Sequence, residues 1–524
     1  MKLRHFAIFS FLLILICCAN AIYAASDDNI MELDQSEDII SSDANEMISI
    51  SNEDQLSNSQ EDIISTDNSD AVLGADAAES TSSSASSTTT VSPLKKFTND
   101  LAGSDATVYL TGDIKISKPF EIKRNVVIDG QGHSIDAQKK TYIFKIAVAT
   151  VTIRNLTLKN GYSNKGGAIL AQKANVYVKG CTFLNNKATD NGGAIFCYYG
   201  KLNVDKSTFT NNRAANNGGG IYVSTAGLVV KNSIFKNNKV ESSKKMGHGG
   251  AICTYLKSST ISNTSFTSNT CLSKSLKSHG KAVKYQFAGG AVYYNAASHT
   301  LTGCTFTSNK ASNHGGAVYG YQTKLLKILK TTFKNNKVAF EDGGAMSYNG
   351  KKLIIRNSNF TKNHAYEDGG VMDACSINKK KVKVIITGTL FDSNTAYKGG
   401  GTIWMGVKTT FTMKNNKFLN NEGGMGGALF SEASYATLNK CIFQGNKAKK
   451  VAPFTMRTKG GAILKHYGGA LVVQGKTVKV IRCTFKKNRA VAGGAIYHEG
   501  GKLKLTANKF SGNSAKKGAK IQKG

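Results

Sequence analysis

Three residues at matched positions of a repeat could carry acid–base or metal chemistry. His314, Asp342 and Asp368 each stand directly before a Gly-Gly pair, with Glu341 and Glu367 beside the two aspartates. Stacked on successive turns of a repeat, such groups lie about 5 to 10 Å apart. Paired carboxylates at that spacing can hydrolyse a glycosidic bond or hold calcium. A solvated turn in a very basic chain is also a natural place for acids, and Lys337 and Lys362 are near in the sequence. The expectation is therefore ordinary surface charge. No catalytic residue, metal or other cofactor is assigned, and His314, Asp342 and Asp368 are kept only as the candidate for a cation.

A second set could bind rather than react. Four residues after the first glycine of each pair stand Phe196, Tyr222, Tyr293, Tyr319, Trp404, Phe430 and Tyr497, interrupted by Leu170, Cys253, Ser347, Asp373 and Leu464. Alternation from the preceding aliphatic residue points this column outward, where rings would stack on sugars or pack against a partner. A bulge at the glycines would turn it inward as a second core stack. Cys181, Cys304, Cys441 and Cys483 share another column, two residues before a repeated Phe, where other repeats carry Ser, Thr or Asn. Small semi-buried residues are expected there. A Cys441–Cys483 disulfide is the lesser alternative, and nucleophilic catalysis lacks a partnered histidine.

Two alternating phrases must position these columns. Gly-Gly-small-aliphatic begins at Gly166, Gly192, Gly218, Gly249, Gly289, Gly315, Gly343, Gly369, Gly400, Gly426, Gly460 and Gly493. Phe-x-x-Asn begins at Phe183, Phe209, Phe235, Phe266, Phe306, Phe333, Phe360, Phe391, Phe418, Phe443, Phe485 and Phe510. Most Phe-to-Phe spacings are 25 to 27 residues, and the longer ones mark insertions near 240–248, 272–288 and 447–467. A constant unit with looped-out additions is how a solenoid reads. Short alternating apolar runs, such as Leu202 and Val204, favour strands over helices. About 26 residues suits three strands per coil. The glycines would supply a positive φ or a close backbone approach, the Asn amides would hydrogen-bond into a ladder, and the Phe rings would fill the core. The expectation is an all-β parallel β-helix of at least twelve coils, about 60 Å long.

The ends of the chain differ from this middle. Residues 1–24 read as an export signal: Lys2 and Arg4, then an apolar run too short to span a membrane, then small residues. Residues 25–92 read as a disordered, Ser-rich acidic spacer, with sixteen acidic residues and no Lys or Arg over 26–92. Residues 93–524 carry sixty-six basic residues against eighteen acidic ones, so this domain should be the β-helix and should favour anionic partners. No later stretch is apolar enough for a membrane span.

The paired GGAI and FxxN phrases, in a chain that opens on a signal, resemble the repeats of polymorphic outer-membrane proteins. They are still more similar to the lysine-rich adhesin-like surface proteins of methanogenic archaea, in the broad pectate-lyase-like superfamily. The resemblance covers roughly residues 120–515 and implies a right-handed parallel β-helix on a cell surface, with attachment as its role. Two departures are a missing C-terminal membrane barrel, which argues against an autotransporter, and a missing wall-binding module. No catalytic motif of the lyases can be placed residue by residue. The expectation is an exported, non-enzymatic adhesin-like protein that contacts surface glycans, anionic cell-wall polymers or surface proteins, and not nucleic acid. The alternatives are a polysaccharide-degrading lyase or hydrolase and a purely structural wall component.

Overall fold

A computed structural model describes residues 91–242, 246–275, 286–375, 381–449 and 467–523. The expected export signal lies outside these residues, as does the acidic spacer apart from Val91 and Ser92.

One coil shows how the sequence makes the fold. After Gly192 and Gly193 comes the strand Ile195–Asp205, then Thr208–Thr210, then Arg213–Ala214. Each pairs in parallel with its counterpart one coil on: Ile195 with Ile221, Phe209 with Phe235 and Arg213 with Lys239. Repetition builds a 27-stranded sheet (sheet 1), a 15-stranded sheet (sheet 2) and an 11-stranded sheet (sheet 3) among the described residues. At about 4.8 Å per strand, sheet 2 spans about 67 Å. The turns between sheets fall where the sequence supplies residues that tolerate positive φ, such as Lys206 and Asn211.

The repeated Phe fills the interior. Phe183 and Phe209 stack at 4.5 Å with rings 5° from parallel, and Phe306 and Phe333 at 4.7 Å and 5°. Each contributes about 2 to 3 kcal/mol of transfer free energy. The Asn three residues later is buried and uses both ends of its amide. Asn336 donates from Nδ2 to Asn363 Oδ1 and to the Phe306 carbonyl, both at 3.0 Å, while Asn363 Oδ1 also accepts the Asn336 backbone N–H. The left-handed conformation falls one residue before this ladder, at Asn335 and Lys362, not on the ladder Asn itself. The two glycines divide their work. Gly192 takes φ +69, while a side chain on Gly193 would press into the Gly219 carbonyl.

Three features depart from the sequence reading. Residues 93–102 form an α-helix, α1 (Pro93–Ala102), capped by the Ser92 hydroxyl; its buried Phe97 meets Phe120 edge-on at 5.0 Å and so covers the first coils. The turn expected at Gly460 is made instead by Gly468, at φ +66, because the insertion of that coil precedes it and Leu471 pairs with Leu429 and Ile496. Gly460 and Leu464 lie outside the described residues. Third, two insertions do more than loop out: Met246–His248 pairs in parallel with Gln286–Ala288, and Phe287 packs with Ala214, Val240 and Cys271.

The cysteine column is a buried ladder slot. Backbone N–H groups donate to the same position one coil on, from Cys181 to Ser207 Oγ at 3.1 Å and from Cys441 to Cys483 Sγ at 3.4 Å. All eight cysteines from Cys181 onward are free thiols.

Candidate functional site

Sheet 3 consists largely of two-residue strands whose second residue is small and buried and whose first faces outward. That outward column is basic. Lys187 stands beside Arg213 and Arg213 beside Lys239; further along, Lys310 stands beside Lys337 and Lys337 beside His364. Thr270 breaks the column between Lys239 and Lys310, and Thr395 and Glu422 break it again before Lys447 and Arg489. Lys187, Lys239, Lys337, Lys447 and Arg489 are exposed. Glu241 reaches Arg213, and Glu422 lies 4.0 Å from Lys447 and 2.8 Å from Lys449, which leaves most of the column uncompensated. Like charges directly opposite on neighbouring strands repel, so this arrangement costs stability unless an anion lies along it.

The aromatic column sits on the outer side of sheet 1, but largely under cover. Phe196, Tyr222, Tyr293, Tyr319, Trp404, Phe430 and Tyr497 share one register. They fall outside the main core, and all but Phe196 lie in two smaller clusters with Tyr255, Tyr321, Met425 and Tyr467. Segments leading into two of the double glycines fold over them: His248 lies 4.2 Å from the Tyr293 ring and Tyr467 stacks on Tyr497 at 4.1 Å. Phe196, Tyr293, Phe430 and Tyr497 are buried, and Tyr222, Tyr319 and Trp404 are partly buried. The position expected at Leu464 is filled by Val472.

Where Ser347 and Asp373 interrupt that column, between Tyr319 and Trp404, acids gather. Asp342, Glu367 and Asp368 place one carboxylate oxygen each within 4.8 Å of one another. Asp342 Oδ1 accepts the Asp368 backbone N–H at 2.9 Å, and Asp368 Oδ1 accepts that of Gly399 at 2.6 Å, so each aspartate ties its coil to the next. His314 Nε2 meets Glu341 at 2.9 Å, and Lys398 Nζ meets Glu367 at 2.5 Å. Beneath them Asp373 is 7% exposed, and its Oδ1 is buried with no hydrogen-bond partner. Burial, reinforced by Asp373 and Asp368, raises Asp342 well above the usual carboxylate range. Burial pushes Asp368 and Asp373 up to about 7, against the relief that Lys398 and His314 give them. Burial opposes the charge on His314, yet Glu341 outweighs it and raises the imidazole. Five of the eighteen acids of the basic domain, Glu341, Asp342, Glu367, Asp368 and Asp373, meet here. Ordinary solvated charge does not account for that concentration.

A family model described as "Right handed beta helix region" matches residues 106–289 and 371–524. The chain belongs to that family. A second model, the Chlamydia polymorphic membrane protein repeat, matches residues 303–321 of this right-handed β-helix, the stretch holding Phe306, Asn309 and the Gly315-Gly316 pair. No match was found among curated proteins. Among solved structures, the complex of alginate lyase AlyF-OU02 with G6 is similar at 11% identity and a TM-score of 0.29, over 77% of each chain.

The structure brings His314, Asp342 and Asp368 of the β-helix together, as their phase indicated, but adds Glu341, Glu367, Asp373 and Lys398. Lys337 was expected to offset these acids; it belongs to the basic column of sheet 3, and Lys398 takes that part instead. Asp373 was read only as a break in the aromatic column. The basic column was missed, although its signal is plain: Lys187, Arg213, Lys239, Lys310, Lys337, Lys447 and Arg489 all stand four residues after a repeated Phe.

Proposed function

We propose that this β-helix is an adhesin-like surface protein that holds anionic or glycan polymers along its length without cleaving them. The observation carrying this reading is the basic column of sheet 3, which runs Lys187, Arg213 and Lys239 and, beyond Thr270, Lys310 and Lys337. Charges repeating at about the strand spacing suit a linear polyanion running parallel to the axis, with many weak contacts summed. The match to a polymorphic membrane protein repeat supports a surface location. Among the described residues no helix is long and apolar enough to cross a membrane. The partly buried Tyr222, Tyr319 and Trp404 would add sugar contacts in a smaller role than a full aromatic face would have.

A second reading, a polysaccharide-degrading enzyme, draws on the carboxylates around Asp342 and Asp368. One experiment separates the two. Purified protein is incubated with acidic and neutral polysaccharides, and both retention and chain length are measured. Retention of acidic polymers at unchanged chain length supports the binding reading. Shortening that disappears in Asp342→Asn or Asp368→Asn supports the enzyme. Failure to retain any polymer at moderate salt points to a structural wall component.

A further inference from the structure

Buried carboxylates without counter-charges are expensive, so a cluster that persists needs protons, cations or both. At the Gly343 and Gly369 turns, the nearby positive groups are Lys398, engaged by Glu367, and His314, engaged by Glu341. Five carboxylates thus face one lysine and one histidine. Asp342, Glu367 and Asp368 are half-buried, with ligand oxygens close enough to share one ion. Their backbone contacts use one oxygen of Asp342 and one of Asp368 and orient both side chains. The independent pointer to a ligand is Asp373. Its Oδ1 is buried without a partner, although the adjacent coils offer Ser347 and Trp404 beside it in register. Ser347, paired beside Asp373, donates from its hydroxyl to the Asp342 carbonyl at 3.0 Å, which places Asp373 under the same turn.

We propose that Asp342, Glu367 and Asp368, with Asp373 beneath them, bind one hard divalent cation of the calcium type. An all-oxygen, carboxylate-rich set with no cysteine suits calcium over softer metals. The ion would join the coils that end at Asp342 and Asp368 to the strand carrying Asp373. This site goes beyond polymer binding and does not depend on it.

The chain contains a single tryptophan, Trp404, one strand from Asp373. That makes a local reporter. Full-length protein, stripped by chelator, is titrated with terbium under selective tryptophan excitation. Saturable sensitised emission that calcium displaces is expected. The acidic residues over 26–92 also attract cations, so the variants decide where the emission arises. Asp342→Asn combined with Asp368→Asn should abolish it, and Asp373→Asn should weaken binding by about ten- to a hundredfold. Calcium should raise the melting temperature of the wild type and not of the double variant. Should the double variant fail to fold, Asp373→Asn alone still decides where the emission arises. Absence of both sensitised emission and a calcium-dependent melting shift overturns the proposal, as does emission undiminished in correctly folded variants.

Discussion

Lys310 and Lys337 stand side by side in register on adjacent parallel strands, and Lys337 in turn stands beside His364. The third strand residue is a histidine whose imidazole is held low, to about 4, by burial and then by Lys337. It is therefore neutral at physiological pH, and the repulsion falls on the lysines. Proteins usually avoid such pairs. Here the same repeat that stacks Phe for the core also stacks whatever residue follows four positions later. The basic column is thus a by-product of the solenoid that a polyanion could exploit.

The Asn ladder should be the least replaceable part of the fold. Asn363→Ala removes the acceptor of both the Asn336 side chain and its backbone N–H, and the donor to Phe333 and Asn394. Buried groups left unpaired cost about 1 to 3 kcal/mol each. Denaturant unfolding should show a loss of at least that size, whereas exposed Lys362→Ala should change little. Equal effects would contradict a structural role for the ladder.

Stability should depend on pH through the acid cluster. Asp368 and Asp373 are raised to about 7 in the fold, against roughly 4 in the unfolded chain. The folded state then holds more protons between those values, so the contribution of these groups falls as pH rises from about 4 to about 7. His314, raised by Glu341, acts in the same direction. Melting temperatures of wild type and Asp373→Asn, compared without divalent cations, should show the variant gaining on wild type across that window, on the order of 2 kcal/mol. A difference independent of pH would contradict the assignment of the buried proton.

The cysteines should be inert. Burial pushes the Cys181 and Cys197 thiols up to about 12, and seven of the eight cysteines from Cys181 onward are buried. Alkylation of native protein, mapped by mass spectrometry, should reach Cys375 first and the others only after unfolding. A Cys441–Cys483 cross-link in freshly purified protein would contradict the ladder role of that pair.

Much of this was legible because the repeat is strict. Phe209 and Asn212 recur in phase, so the core stack, the Asn ladder and the meeting of His314, Asp342 and Asp368 followed from spacing alone. What escaped depends on things that phase does not encode. The covering of Tyr293 by His248 depends on the path of a connecting segment. The choice of Gly468 over Gly460 depends on which side of the glycines an insertion enters. The helix Pro93–Ala102 lies outside the repeat, so its Pro at N1 and Ser92 cap were local signals with no periodicity behind them. The part played by Asp373 came from losing an aromatic ring, and in a sequence that reads only as an interruption.

The basic column of sheet 3 is proposed to hold an anionic polymer. Its most direct test is the affinity of full-length protein for an acidic polysaccharide as a function of salt, compared with a variant carrying Lys187→Gln, Lys239→Gln, Lys310→Gln and Lys337→Gln. An affinity loss of about tenfold or more and a shallower salt dependence are expected, with the fold intact by circular dichroism. Unchanged affinity and slope in the variant would contradict it.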